Sequence, residues 1–99
     1  MEKLFLVVLR YIEPLEKVET YLEEHVTFLN KYYEKSKFIF SGRRKPRIGG
    51  VILANVNTEE EIQTIIKEDP FFINKIAEYE LIEFTPTKYD ENFKVFVNN

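Results

Sequence analysis

The chain has 99 residues, 44% of them hydrophobic, with no cysteine and a formal net charge of -3. This length is typical of one domain and too short for two, and the composition excludes a disordered or a membrane-embedded chain. The lack of cysteine excludes disulfides and thiolate chemistry, and the negative charge argues against nucleic acid as a partner.

Metal and membrane classes are also disfavoured. His25 is the only histidine, so one chain cannot supply a polyhistidine metal centre, and we expect neither a metal nor a cofactor. The apolar run near the start is too short for the core of a signal peptide, and no run reaches the roughly 18 residues that span a bilayer. We therefore expect a cytoplasmic protein with no membrane partner.

The first half of the chain predicts a strand, a long helix and a second strand. Lys3–Arg10 is a nearly continuous apolar run, as in a central strand covered on both faces. From about Glu16 to Lys35, apolar residues recur at three- and four-residue steps, which is the helical period. Lys37–Arg43 carries the aromatic and β-branched residues of a short strand. The apolar stripe expected on the helix comprises Val18, Leu22, Val26, Leu29 and Tyr33.

The next segment predicts a third strand and a second helix. Gly49–Val56 reads as a strand whose two leading glycines permit a bend or a close backbone approach. Thr58 is a good N-cap, and Glu61 completes a capping-box pattern. We expect this helix to end near Asp69, because the residue before Pro70 is pushed out of the α region.

The last segment predicts a fourth strand and a tail. Tyr79–Thr85 has the strand pattern, and Pro86 interrupts or ends it. We expect a domain at 1–87 and a C-terminal tail at 88–99. Within the tail, Phe93–Val97 would add a short edge strand or swap onto a partner chain.

The element order is β-α-β-β-α-β, which predicts an α+β fold of the ferredoxin-like type. Two helices would cover one face of a four-stranded antiparallel sheet. The strands do not alternate cleanly, so the opposite face also holds apolar side chains. A second copy packed face to face would cover that face, which predicts a homodimer.

Two ionisable residues stand where the helical period predicts apolar ones. His25 lies three residues after Leu22 and four before Leu29, and Asp69 follows Ile66 by three. Both helices pack on one sheet face, so the two side chains are expected to meet. A carboxylate bonded to one imidazole nitrogen leaves the other free to move a proton. The alternatives are a hydrogen-bonded core histidine and an aspartate that serves only as a local turn or cap residue.

Small and basic residues follow the second strand. Ser41–Gly42 either form a bulged hairpin end or leave room for a ligand. Arg43, Arg44, Lys45 and Arg47 place four positive charges within five positions. Such a cluster is either a solvated loop or an attractor for an anionic substrate. Arg10, at the end of the first strand, is a further candidate anion contact, with a surface ion pair as the alternative.

The ordered set of His25, Ser41–Gly42, Gly49–Gly50 and Asp69–Pro70–Phe71 resembles the YciI-related family. That family typically shows a histidine midway along the first helix and a Ser/Ala-Gly-Pro turn. A glycine precedes its third strand, and an Asp-Pro-Phe element follows its second helix. The matches run in the right order across nearly the whole domain, to about Phe84.

The resemblance implies a dimeric α+β barrel built from two ferredoxin-like units, with His25 and Asp69 as a catalytic dyad in a cleft. A few members act as small-molecule lyases, including dehydrochlorination of chlorinated aromatic rings. Two departures matter. Arg43 replaces the proline usual after the glycine, and Lys75 stands where a glycine is expected. These changes would alter the shape and charge of the pocket, so the substrate class does not carry across.

The leading hypothesis is a cofactor-independent lyase or isomerase. His25 would be the general acid and base, Asp69 would orient it, and the substrate would be a small anionic or aromatic molecule. The expected substrate contacts are Arg10, Ser41, Gly42, Arg43 and Phe71.

Two alternatives use the same fold. A non-catalytic dimeric module would hold a small ligand or a partner protein in the same cleft. A haem-degrading or quinol-oxidising monooxygenase would share the dimeric barrel. The lack of tryptophan and the position of the single histidine on the first helix count against the haem version.

Overall fold

The computed structural model describes residues 3–97, in which four strands and two main helices follow one another. Short helical segments lie before and after the last strand. The elements are β1 (Lys3–Tyr11), α1 (Leu15–Glu34), β2 (Phe38–Arg43), β3 (Gly49–Val56), α2 (Glu59–Ile66), α3 (Pro70–Ile73), β4 (Ala77–Phe84) and a 3₁₀ helix (Glu91–Phe96).

The strands form one antiparallel sheet in the order β2-β3-β1-β4. Each βα unit therefore spans one intervening strand, which is the ferredoxin-like topology. The predicted α+β fold class is confirmed.

The two faces of the sheet follow from the alternation of β1. Phe5, Val7 and Leu9 are buried and belong to the main core cluster, which also contains residues of α1 and α2. Residues directly opposite each other in paired strands share a face, so the register carries this helix face across β3 and β4. The even-numbered residues, such as Leu6 and Val8, lie on the other side, which we call the open face. Both faces of β1 are apolar, as the continuous run predicted.

The buried stripe of α1 differs from the expected one. The buried side chains are Val18, His25, Phe28 and Tyr32. Three of these positions are spaced by seven residues, which is close to two helical turns. Val26 and Tyr33 were expected on the stripe, but they are 44% and 36% exposed. Each lies one position past the stripe, about 100° further round the helix. His25 is consequently at the centre of the buried face.

The second helix begins as predicted but ends earlier. The Thr58 side chain accepts a hydrogen bond from the Glu61 backbone N–H, while the Glu61 carboxylate accepts one from the N–H of Asn57. α2 then ends at Ile66, and Asp69 has an extended backbone, with ψ at 124°. We expected Asp69 in the last turn of α2. It is instead the N-cap residue of the separate short helix α3.

The glycines at the start of β3 mark a close approach between backbones. A Cβ on Gly49 would lie 1.8 Å from the carbonyl oxygen of Leu9, and one on Gly50 would lie 2.8 Å from that of Gly42. Of the two expectations for these glycines, the close approach is the one observed. The sheet irregularity lies between Phe38 and Phe40, so the β2–β3 hairpin is bulged earlier than Ser41–Gly42.

The tail does not add a strand to this sheet. Glu91–Phe96 forms a 3₁₀ helix, and Asp90 caps it by accepting from the Asn92 N–H at 2.9 Å. The domain boundary at residue 87 and an exchange of the tail between copies stay predictions. Over residues 3–97, no helix has the length and apolar character that a membrane span requires.

Candidate functional site

His25 is held against the core by aromatic contacts. It is 9% exposed, and its ring stacks on Phe71 with a centroid distance of 4.1 Å and an interplanar angle of 8°. The Phe28 ring lies 6.1 Å away on the same helix. Parallel packing of this kind limits rotation of the imidazole, so the ring nitrogens have defined directions.

Asp69 is fully buried and accepts three hydrogen bonds. Its Oδ1 lies 2.8 Å from Nδ1 of His25 and 2.9 Å from the backbone nitrogen of Phe71. Its Oδ2 accepts a hydrogen bond of 2.6 Å from the hydroxyl of Tyr79. The expected meeting of His25 and Asp69 across 44 residues of sequence is therefore present. Asp69 is also a local helix cap, through the hydrogen bond from the Phe71 N–H. The two interpretations of Asp69, a partner of His25 and a local cap, therefore both describe contacts that this side chain makes.

These contacts determine which nitrogen of His25 is free. An ionised carboxylate only accepts hydrogen bonds, so Nδ1 carries the hydrogen that points to Asp69. Nε2 of the neutral ring then presents a lone pair, and it makes no hydrogen bond to any residue from 3 to 97. The ring lines a cleft, which leaves Nε2 available to a molecule bound there.

Tyr79 belongs to this site but was missed by the sequence analysis. It lies on the helix face of β4, opposite Leu9 of β1. Burial and the adjacent Asp69 carboxylate, with a smaller effect of Tyr11, raise the pKa of Tyr79 far above its usual range. The hydroxyl therefore stays protonated and continues to donate to Asp69. Strand alternation hinted at its inward direction, but nothing local indicated its partner.

The cleft lies between α1 and the ends of the strands, with a volume of about 230 Å³. Most of its wall is apolar, and its polar side chains are His25, Ser41, Arg43 and Tyr11, the last with a hydroxyl group. The lining residues are Leu9, Tyr11, Leu22, His25, Val26, Leu29, Ser41, Gly42, Arg43, Gly49, Gly50, Val51, Ile52 and Phe71. Small molecules are commonly bound in clefts of this character.

Four of the five expected substrate contacts lie at this cleft: Ser41, Gly42, Arg43 and Phe71. The Ser41 hydroxyl is already engaged, at 2.7 Å from the hydroxyl of Tyr33. A Cβ on Gly42 would meet no atom within 4 Å, so this position is open. Arg43 is exposed, and its guanidinium forms no ion pair with any residue in the described range 3–97.

Arg10 does not reach the cleft. Its guanidinium pairs with Glu78 on the open face of the sheet. The side chain of Leu9, one residue earlier, points to the helix face and lines the cleft. Successive side chains of a strand point to opposite faces, so Arg10 faces away. The surface ion pair considered for this residue is the contact observed.

Arg44 and Arg47, two other basic residues of the turn, make contacts within the protein. Arg47 lies 3.5 Å from the Glu19 carboxylate of α1, and its Nε is buried without a hydrogen-bond partner. Arg44 makes a long hydrogen bond of 3.4 Å to the carbonyl oxygen of Leu9. Arg43 is thus the basic side chain of this turn that lines the cleft. Within residues 3–97, no group of three His, Asp or Glu side chains converges to hold a metal ion.

A sequence profile of the YCII-related domain matches residues 4–85. The chain belongs to the YCII-related family. The resemblance carried by His25, Ser41–Gly42, Gly49–Gly50 and Asp69–Pro70–Phe71 is therefore confirmed. No curated protein sequence matches the chain.

A solved structure with the same fold is 5-chloro-2-hydroxyhydroquinone dehydrochlorinase from Burkholderia phenoliruptrix AC1100, in complex with 2,5-dihydroxybenzoquinone. The superposition has a TM-score of 0.68 at 19% sequence identity, and it covers 90% of this chain and 97% of the other. At this identity, the similarity establishes the shared fold.

One departure from the YCII-related pattern now has a structural explanation. Lys75 has φ at +57°, the left-handed conformation that glycine adopts most readily. The backbone shape is thus the one that the expected glycine would give, and Lys75 supplies it at a steric cost. The other departure, Arg43, changes the charge at the cleft.

Proposed function

We propose that this protein is a cofactor-independent lyase or isomerase in which His25 transfers a proton and Asp69 orients it. The observation that carries the proposal is the 2.8 Å contact between His25 Nδ1 and the buried Asp69 carboxylate, with Nε2 left at the cleft. A neutral imidazole so placed is a suitable general base near neutral pH.

The chemistry follows from the two ring nitrogens. Nε2 takes a proton from a substrate carbon or hydroxyl, and the ring becomes an imidazolium. The adjacent Asp69 carboxylate stabilises this positive charge without taking the proton itself. In an elimination, the electrons of the broken C–H bond form a double bond while an anionic leaving group departs. In an isomerisation, the same proton returns to another carbon.

The cleft favours a small anionic or aromatic substrate. Apolar side chains such as Leu22, Leu29 and Ile52 suit the faces of a planar ring. Arg43 supplies a positive charge without an ionic partner among residues 3–97. The fold relative named above acts on a chlorinated hydroxyhydroquinone and was solved with a dihydroxybenzoquinone, and ligands of this class have the required shape and acidity.

The test compares turnover in the wild type and in His25→Gln. The assay screens small anionic aromatic compounds, beginning with release of chloride from 5-chloro-2-hydroxyhydroquinone. We expect His25→Gln to lower turnover by about 10²–10⁴-fold, the usual contribution of a positioned general base. Glu24→Gln is the matched control, because Glu24 is the exposed neighbour of His25 on α1.

Turnover at the wild-type rate in His25→Gln would contradict the proposal. Binding of 2,5-dihydroxybenzoquinone by the wild type, with no turnover of any compound in the screen, would favour the non-catalytic ligand-binding module. Both results are read on protein whose folding has been checked by circular dichroism.

We also infer that the working form is a homodimer joined through the open face. Phe40, Ile82 and Phe84 lie on that face and are 49%, 40% and 39% exposed. Ile82 and Phe84 lie two residues apart on β4, and Phe40 lies on β2, the opposite edge strand of the sheet. Exposed large apolar side chains on one face commonly mark an interface. A second copy placed sheet to sheet would cover them.

A further inference from the structure

Tyr79 reaches the candidate site from the opposite side of Asp69. Its hydroxyl donates to Oδ2 at 2.6 Å, whereas His25 and the Phe71 N–H share Oδ1. The two carboxylate oxygens are thus bonded to different elements, α1 and α3 through Oδ1 and β4 through Oδ2. This arrangement prevents rotation of the carboxylate and aims Oδ1 at Nδ1 of His25.

The Tyr79 hydroxyl also affects how readily the pair formed by His25 and Asp69 binds a proton. A buried carboxylate without its full set of donors binds a proton more readily, because its negative charge is less stabilised. His25 and Asp69 are directly bonded, so protons belong to the pair and not to one residue. An extra proton on the pair resides at Nε2, since Nδ1 already carries a hydrogen. Nε2 would then no longer be a base.

We propose that Tyr79 is a positioning residue that orients the Asp69 carboxylate and keeps Nε2 of His25 unprotonated. This inference rests on the proposed role of His25 as the base. The inference adds a residue of β4 to the pair of His25 and Asp69, whereas the family motifs at this pair supply only residues of α1 and of the start of α3. Tyr79 itself does not line the cleft.

Other titratable groups lie near Tyr79. Tyr11 of β1 also raises the pKa of Tyr79, with a smaller effect than Asp69. Lys67 lines a shallow groove beside the Tyr79 ring. On the other side of β4, Tyr79 borders a second groove that includes Arg10, Arg44, Glu78 and Glu80. Among residues 3–97, Asp69 is the group to which the Tyr79 hydroxyl is hydrogen-bonded.

The experiment follows the ring nitrogens of His25 by ¹⁵N NMR across pH in the wild type and two variants. Tyr79→Phe removes the hydroxyl and keeps the ring. Tyr32→Phe is the matched control, because the Tyr32 hydroxyl donates to a different carboxylate, Glu68, at 2.8 Å. We expect the His25 signals of Tyr79→Phe to report protonation at a pH about one unit higher than in the wild type. Those of Tyr32→Phe should not move.

A second measurement uses the wild type alone. The ¹³Cζ signal of Tyr79 should keep its neutral position at about pH 10, where an exposed tyrosine ionises. The pH at which the Tyr79 hydroxyl ionises therefore reports, without any substitution, on its burial beside the Asp69 carboxylate. Tyr79 ionising together with the exposed Tyr89 would overturn the inference, even if Tyr79→Phe failed to fold.

The outcomes separate this inference from the function on which it rests. A wild-type ring with its hydrogen on Nε2 would overturn the proposed role of His25 itself. A wild-type ring with its hydrogen on Nδ1, and no shift in Tyr79→Phe, would overturn only the role of Tyr79. That result would make Tyr79 a packing residue of the sheet.

Discussion

At the residue scale, Asp69 combines two contacts that usually belong to different residues. The Phe71 N–H requires an acceptor at Oδ1, as in a helix cap. The same oxygen faces Nδ1 of His25. The hydrogen bond from the Phe71 N–H therefore fixes the Asp69 carboxylate at the start of α3. His25 Nδ1 donates to an oxygen whose position is already fixed.

This geometry gives a specific prediction for Asp69→Asn. The Phe71 N–H cannot become an acceptor, so the amide oxygen should stay at the Oδ1 position and Nδ1 of His25 should keep its hydrogen. The negative charge is lost, so the imidazolium should form only at lower pH. We expect turnover to fall by about 10–100-fold, because the hydrogen bond to Nδ1 is kept but loses the negative charge that strengthens it. His25 ring signals in ¹⁵N NMR and a turnover assay measure both effects.

Asp90→Asn is the control for that substitution, because Asp90 caps the exposed 3₁₀ helix through the same kind of contact. It should leave the His25 signals unchanged. The pH at which His25 is protonated should fall in Asp69→Asn and rise in Tyr79→Phe. The two variants therefore distinguish loss of the carboxylate charge from loss of the hydroxyl that donates to the carboxylate. If His25 is protonated at the same pH in Asp69→Asn as in the wild type, His25 and Asp69 do not act as a functional pair.

At the element scale, the end of the sheet is shaped by the approach of β3 to β1. Gly49 lies against the backbone of Leu9, and both residues line the cleft. A side chain at this point would push the two strands apart. The cleft thus depends on a backbone contact as well as on its side chains.

We predict that Gly49→Ala is strongly destabilising, because its Cβ would lie 1.8 Å from the Leu9 carbonyl oxygen. Strain against backbone of this kind costs about 2–3 kcal/mol or more. Gly42→Ala is the matched control, since a Cβ there meets nothing within 4 Å, and its effect should stay within about 0.5 kcal/mol. Urea unfolding measures the free energies. Equal stabilities of the two variants would show that the close approach is not required.

At the scale of the whole molecule, the two faces of the sheet have different roles in our proposal. The helix face carries the core and the cleft. The open face carries exposed apolar side chains and the ion pair between Arg10 and Glu78. A partner copy on the open face would leave the helix face of each protomer free.

The expected dimer predicts the effect of Phe40→Glu. A charge at this half-exposed position should weaken a sheet-to-sheet interface while leaving the fold intact, because Phe40 lies outside the main core cluster. Size-exclusion chromatography with light scattering should show a wild-type dimer and a monomeric variant. Ile73→Glu is the control, since Ile73 is 61% exposed on α3. A wild-type monomer, or a dimer that Phe40→Glu leaves unchanged, would contradict this arrangement.

The sequence by itself determined the elements and their order. The apolar run of β1, the helical period of α1 and the capping pattern at Thr58 depend on neighbours along the chain, so they could be recognised without coordinates. The observed bounds of these elements agree with the predicted ones to within a residue or two at most ends. His25 and Asp69 could be singled out because each interrupts an apolar pattern, although Asp69 proved to be the N-cap of α3 and not part of α2.

Tertiary structure decided what each of those residues contacts. Both faces of β1 are apolar, so alternation could not reveal that Arg10 points away from the cleft. The bond from Tyr79 to Asp69 depends on the placement of β4 beside α3, which no local pattern encodes. The hydrogen position on His25 likewise follows from its contact with the Asp69 carboxylate, which lies 44 residues away along the chain. Local periodicity determines elements, whereas register and packing bring distant polar groups together.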